Sequence, residues 1–374
     1  MKAATIRDVA ERAEVSVASV SRVLNGAGPV TEATRKRVFE AAQALQYVPH
    51  SGARSLSTSK TQTVAVILPD LYGEFFSELI RGMDVAARSL GYHLIVSSSH
   101  EDAEEASAAI RSMRGRVDGL IVLSPHLDAA NLADGLAGGI PVLVMNGGTD
   151  AEHPSIVIDN HGGAMLAVAH LVATGRLRIA HIAGPVGNLA AEARLAGYLQ
   201  AMAQAGLPTS VVEGAFSQSS GHAAGVELAQ REQRPDAVFA GNDFMAVGAM
   251  LALQDAGLRV PEDIAIIGFD DVPIAGLVRP ALTTLRIHIA ETGRRALERL
   301  VRLINVVGDA VADTACEVIR PELVVRASSH PARKTIQDLG AASVLVRAVS
   351  PACAGEASTQ GATSDLRGAG RPRS

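Results

Sequence analysis

Two periodicities divide the chain. Over the first fifty residues apolar positions recur at helical spacing: Ile6, Val9, Ala10 and Ala13, then Val20, Val23 and Leu24, then Val38, Ala41, Ala42 and Leu45. Three short helices are predicted there. Thr5-Ile6-Arg7-Asp8 opens the first with a hydroxyl and an acid three residues on, the capping-box pattern. Glu14-Val15-Ser16 connects it to Val17–Leu24, which stops at Asn25-Gly26. Thr31 caps the third helix, which ends before Tyr47-Val48-Pro49. After the polar stretch 57–62 the pattern changes to short β-branched runs alternating with Ala/Leu-rich segments. Val64–Leu68, His93–Ser97, Gly119–Leu123, Pro141–Met145 and Ile156–Ile158 are predicted strands, followed by Ile179–Ala183, Ala237–Ala240 and Ile264–Gly268. Helices are predicted between them at 74–90, 103–115, 162–174, 190–206, 221–231, 243–257 and 290–304.

Continuous apolar strands alternating with helices are covered on both faces, which makes the body an α/β protein with parallel sheets. Two such sets of strands predict two similar lobes. Ligands in these folds sit beyond the carboxyl ends of the strands, so the cleft between lobes is the expected binding place. In the head, two short helices joined by about three residues are the ingredients of a helix-turn-helix. Val17, Ala18, Ser21 and Arg22 lie on the face of the second helix opposite Val20, Val23 and Leu24. Small side chains let a helix enter a major groove, hydroxyls reach phosphates, and an arginine can bond a guanine edge bidentately. A plain three-helix bundle would show the same apolar pattern.

Composition and charge sharpen this outline. The 374 residues correspond to two or three domains. The net charge of −5 is uneven: residues 1–60 carry +4, residues 61–330 carry −12 and residues 331–374 carry +3. A basic head on an acidic body suits a polyanionic partner for the head, although an ordinary charged surface would give the same balance. Two cysteines, Cys316 and Cys353, are too few for a disulfide framework and suit a reducing compartment. No apolar run approaches the ~18 residues of a membrane span. The first residues lack the apolar core of a signal peptide, so a cytoplasmic protein with no membrane partner is expected. The nucleophile-elbow, phosphate-loop and zinc-protease motifs are missing, and the 11 histidines show no ligand spacing. No catalytic residue, metal or cofactor is therefore expected. Polar residues do follow the apolar runs: Asp70, Asp159, Asn242-Asp243 and Asp270-Asp271, with Arg194 early in a helix after a Gly-Pro turn. Taken alone, such residues are turn formers or helix caps, and Asp243 is read as a helix-start acid.

Thr5-Ile6-Arg7-Asp8-Val9-Ala10, the run Val15 to Gly26, Tyr47-Val48-Pro49 and Ala53-Arg54-Ser55-Leu56 closely resemble the DNA-binding head of the lactose-repressor (LacI/GalR) family. The resemblance continues to about residue 330 through Phe75-Phe76, Asp159-Asn160, Glu192-Ala193-Arg194, Phe216-Ser217, Gly241-Asn242-Asp243 and Gly268 to Asp271. It implies a helix-turn-helix head at 1–49, a hinge helix and linker at 50–61, and a two-lobed periplasmic-binding-protein-like effector domain at 62–330. The first lobe would hold about 62–160 with part of 288–316, and the second about 161–287 with 317–330. Residues 331–374, rich in Ala, Gly, Ser and Arg, are expected to be a disordered tail.

By position, Val17, Ala18 and Arg22 would read bases. Thr5, Ser16, Ser19, Ser21 and Asn25 would position the backbone together with Tyr47, and Ala53 and Leu56 would enter the minor groove. Arg194, Asn242 and Asp270 would hydrogen-bond an effector, Phe75, Phe76 and Phe216 would pack on it, and Asp159 completes the effector set. The chain departs from the family at His50, where many members have Asn, at Gly73-Glu74 in place of Asn-Pro, and at Gly147 in place of Arg. The implied function is an effector-controlled repressor of a carbohydrate operon, binding double-stranded operator DNA as a homodimer and taking a sugar or sugar derivative. Other readings are a transporter's solute-binding protein, a metabolic enzyme on the same α/β body, and a corepressor-dependent regulator taking a purine or other non-sugar ligand.

Overall fold

The computed structural model describes residues 4–25, 29–48, 60–100, 102–123, 140–146, 153–306 and 315–329. The 50–58 hinge with His50, Ala53 and Leu56, together with Gly26, Gly147 and the 331–374 tail, lies outside the described residues.

The head is three helices, α1 (Ile6–Arg12), α2 (Val17–Asn25) and α3 (Glu32–Ala44). Both halves of the capping box form at α1: Asp8 N donates to Thr5 Oγ1 at 3.4 Å, and Thr5 N donates back to Asp8 Oδ2 at 2.7 Å. At α2, Ser19 N donates to Ser16 Oγ at 3.1 Å, and Thr31 accepts from Thr34 N to start α3. Each such cap offsets one of the unpaired amides at a helix start. Glu14 turns the chain between α1 and α2 with a left-handed φ of 52°. Val9, Val20, Val23 and Val38 are buried where the helices meet, with Ile6, Leu24 and Leu45 packed around them.

The body begins with β1 (Thr63–Leu68), α4 (Glu74–Ser89), β2 (His93–Ser98), α5 (Ala103–Ser112), β3 (Gly119–Leu123), β4 (Val142–Met145) and β5 (Ser155–Ile158). The chain then enters the second lobe through α6 (Asn160–Ala173), β6 (Ile179–Ile182), α7 (Leu189–Gln204), β7 (Val211–Val212), α8 (Gln218–Gln230), β8 (Ala237–Ala240), α9 (Asp243–Asp255), β9 (Ala265–Ile267) and α10 (Ile274–Leu277). It crosses back through β10 (Thr284–Arg286) into α11 (Ile289–Ile304) and β11 (Cys316–Ile319), and crosses once more into β12 (Glu322–Val324).

The first lobe's sheet runs β11-β5-β4-β3-β1-β2 and the second's β7-β6-β8-β9. Every pair in both is parallel, while β10 and β12 pair antiparallel between them. Three crossings thus join the lobes, and one apolar cluster runs from Val66 and Ile121 through Ile156 and Phe269 to Phe239 in the smaller sheet.

The eight strands predicted from the continuous apolar runs are all present. β7, β10, β12 and α10 were not predicted, because two to four residues carry no readable period. β11 also escaped, since its exposed and half-buried positions alternate at the sheet edge. It carries the chain through Ile319 in the first lobe, past the 316/317 division expected for the crossing. The α4–α11 contact depends on two glycines. A Cβ on Gly82 would lie 1.8 Å from Ala290 O and one on Gly293 would lie 2.3 Å from Leu79 O.

Candidate functional site

Two surfaces answer to the chemistry expected of this chain. On the head, Val17, Ala18 and Arg22 are exposed on one side of α2, and Val20 and Val23 fill the other. Their spacing confines the exposed three to one helical face. Arg22 lies back along the helix, its Nε donating to Ala18 O at 3.3 Å. Thr5 and Ser16 are exposed caps; Ser19 Oγ meets Ser16 Oγ at 2.9 Å, and Asn25 Nδ2 donates to Ser21 Oγ at 3.2 Å. Tyr47 is half-buried and packs against the head's apolar core.

Behind the head the chain is fastened to the first lobe. Asp118, just ahead of β3, accepts from Thr61 N at 2.6 Å, Thr61 Oγ1 at 2.8 Å and Gln62 N at 2.8 Å. Lys60 Nζ donates to Asn305 Oδ1 at 2.8 Å.

The second surface is a cleft between the lobes, with an empty volume of about 930 Å³ that is partly open to solvent. It lies where carboxyl ends of strands in both sheets converge, the ligand position of parallel α/β folds. The first lobe contributes Asp70 after β1, Tyr72, Phe75 and Phe76 around the start of α4, and Asn146 after β4. From the second come Asn188 and Arg194 at α7, Phe216 and Ser217 before α8, Asn242 and Phe244 at α9, and Asp270 after β9.

Arg194 organises the second wall. Its Nε donates to Asn160 Oδ1 at 2.8 Å, Nη1 to Gly241 O, and Nη2 to Asp270 Oδ1 at 3.5 Å. The guanidinium carbon stands 3.8 Å from the Phe269 ring centroid and 5.6 Å from that of Phe216, a cation–π arrangement. Asn242 Oδ1 caps α9 by accepting from Met245 N at 2.9 Å, while Nδ2 holds Phe216 O at 3.0 Å.

Burial pushes the Asp270 carboxyl up to about 6, against the opposing pull of Arg194. Burial also lowers the Arg194 guanidinium, with Asp270 and Asp243 opposing. Asp243 is fully buried beneath the cleft, accepting from Thr284 Oγ1 at 2.5 Å and Val272 N at 2.9 Å. Burial and the nearby Asp270 raise it well above the carboxylate range. Beside this group His181 stacks between Tyr198 and Phe239, its Nδ1 2.9 Å from Phe239 O. Burial lowers its pKa to about 4.

Six of the seven residues expected at the effector site line the cleft: Phe75, Phe76, Arg194, Phe216, Asn242 and Asp270. Asp159 is the exception. It caps α6, accepting from Gly162 N at 2.8 Å, and its neighbour Asn160 is the one that reaches Arg194. Asp70, Tyr72, Asn146, Asn188 and Phe244 line the cleft without having been assigned to it. Asp70 and Asn146 carried a usable signal, each being the polar residue after an apolar strand run. Among the described residues no group of three His, Cys, Asp or Glu is placed to hold a metal ion, and no helix is long and apolar enough to cross a membrane.

A small-residue helix face on a three-helix head, joined to two α/β lobes with a polar and aromatic cleft between them, defines a ligand-binding, DNA-reading regulator. Comparison with known proteins agrees in both parts. Residues 5–50 match the bacterial regulatory proteins of the lacI family, and residues 168–329 match the periplasmic binding protein-like domain. The HTH-type transcriptional repressor PurR of Aliivibrio salmonicida is 34% identical over 87% of this chain and 99% of its own length. Catabolite control protein A of Priestia megaterium is 36% identical over 80% of this chain and 92% of its own. A crystal structure of the lac repressor dimer bound to operator and the anti-inducer ONPF superposes with a TM-score of 0.79 and 30% identity, covering 88% of this chain and 100% of that one. The chain belongs to the LacI family: it is a DNA-binding transcription regulator with a periplasmic-binding-protein-like ligand domain, not a transporter's solute-binding protein.

Proposed function

We propose that the protein is a repressor that binds a near-palindromic operator as a homodimer in the cytoplasm, and that an uncharged sugar or sugar derivative in the interlobe cleft controls it. The observation that carries the ligand class is the charge balance of the cleft. Among its described lining residues the cation is Arg194, already paired with Asp270, and Asp70 adds a further carboxylate. Nothing in that set is left over to neutralise a phosphate or carboxylate. Asparagine amides and carboxylate oxygens suit hydroxyls at the edge of a sugar ring, and aromatic faces suit its C–H surface.

DNA contact falls to Val17, Ala18 and Arg22 for bases, with Thr5, Ser16, Ser19, Ser21, Asn25 and Tyr47 on the backbone and Ala53 and Leu56 in the minor groove. Ligand-driven movement of the lobes would reach the DNA through the Asp118 clamp, which holds the chain just after the hinge. That control requires unequal affinity of the ligand for two arrangements of the lobes. A second reading, a nucleoside ligand, is favoured by the aromatic rings on both walls, Phe75 and Phe76 on one and Phe216 and Phe244 on the other.

A thermal-shift panel of neutral sugars, sugar acids, sugar phosphates and nucleosides tests the class, because a ligand that binds only the folded state raises its melting temperature. Neutral sugars should give the shifts. Shifts confined to phosphorylated or acidic compounds would overturn the charge argument, and shifts confined to nucleosides would select the second reading.

A further inference from the structure

The walls of the cleft are also tied directly to each other, by the dipeptide Gly73-Glu74 at the start of α4. Ile274 N, in the second lobe, donates to Glu74 Oε2 at 2.8 Å. Asp243 of its own lobe holds the preceding Val272 N, but Pro273, which precedes α10, supplies no side-chain cap for the Ile274 amide. The acceptor therefore comes from across the cleft, over a separation of 200 residues in the chain. Gly73 makes the approach possible. Its φ is +100°, and a Cβ there would stand 3.2 Å from the Phe244 ring of the second lobe. The Tyr72 ring lies 6.4 Å from the same phenylalanine.

The geometry points to Glu74 as a positioning residue that latches the two walls of the cleft together. One end of the tie is the α4 start that presents Phe75 and Phe76 to the cleft, and the other follows by four residues the position of Asp270. Opening the lobes breaks the Ile274–Glu74 bond and exposes an amide with no partner in its own lobe. Keeping them closed retains a charge-assisted hydrogen bond at a half-buried site. Glu74 thus shifts the ligand-free protein toward closed lobes and presets the distance between the aromatic wall and Asp270. The tie belongs to the lobes themselves, whatever the ligand proves to be.

Hydrogen exchange followed by mass spectrometry on the full-length, ligand-free protein tests it. Glu74→Ala should speed exchange about threefold to tenfold, the worth of a hydrogen bond to a charged group after solvent screening. The effect should spread to both walls, including the segments 69–72, 214–217 and 241–243 as well as Ile274. Glu74→Gln keeps an acceptor without the charge and should fall between wild type and Glu74→Ala. Glu78→Gln is the control, because Glu78 pairs with Arg81 on its own helix. Unchanged thermal unfolding midpoints would show that the variants are folded. Faster exchange confined to Ile274 and its neighbours would reduce Glu74 to a local cap, and unchanged exchange at every segment would remove the latch altogether.

Discussion

In the head, Ser16, Val17, Ala18 and Arg22 take their places within seven consecutive residues, and the bonds that orient them span three or four positions. In the cleft, Arg194 bonds to Asn160, Gly241 and Asp270, at separations of 34, 47 and 76 residues. The exposed face of α2 is a product of local helix rules on a core of small aliphatic side chains. In the cleft, Arg194 and Asp270 are buried, and these charges are held only because remote segments satisfy one another. A surface that meets a polyanion in water can leave its arginine solvated, whereas a buried arginine must be fully partnered. Damage should therefore stay local in the head and propagate through the body.

Replacing Arg194 is expected to do the most. Arg194→Met leaves Asp270 buried without its counter-charge, at a cost of about 3–5 kcal/mol by urea unfolding at pH 7.5. The loss should be smaller at pH 5, because the Asp270 carboxyl, already raised to about 6, can take up a proton. An equal loss at both pH values would break the idea that the charge pair organises the second wall.

Gly82→Val should follow at about 1–3 kcal/mol, the range for overpacking a core, since its side chain would run into the Ala290 carbonyl. Helix shifts that absorb the clash would appear as changed exchange along α4 and α11.

The His181 imidazole is shifted from 6.5 to about 4 by burial. Its contribution is fully present above pH 6.5 and is lost as the pH falls through 4, up to about 3 kcal/mol. His181→Gln, which cannot titrate, should flatten the acid limb of body stability measured by denaturation between those pH values. Asp270 acts in the opposite sense over part of the range: its raised pKa favours the folded state at low pH and loses that advantage as the pH rises through about 6. An Asp270→Asn background should therefore steepen the His181 slope.

Ser16→Ala belongs at the bottom, with a loss of about 1 kcal/mol of cap energy. That loss should appear in exchange of the 5–25 segment and leave the cleft unchanged.

The same contrast explains what could be read from the chain. The TVAVIL run of β1 and the GLIVL run of β3 are legible because strands buried on both faces must be continuously apolar. The head is legible for a related reason: its caps and its face are fixed by spacings of three and four. Within the cleft, composition at strand ends marks the neighbourhood but not the pointing of each side chain. Asp159 and Asn160 are adjacent and both polar, yet one closes a helix and the other holds Arg194. Asn242 lines the cleft while its oxygen caps α9, so both the cap reading and the ligand reading apply to a single side chain. Phe244 and Tyr72 could not have been assigned from spacing, since they face each other only once the lobes are together.

Arg22 tests most directly whether α2 reads sequence while the lobes carry the control. Fluorescence anisotropy should compare wild type and Arg22→Ala on a selected operator duplex and on random duplex at the same salt concentration. A loss of about 1–3 kcal/mol is expected on the operator with little change on random DNA, as for an arginine bonded to a base edge. Equal losses on the two duplexes would make Arg22 a phosphate contact and remove it from sequence reading.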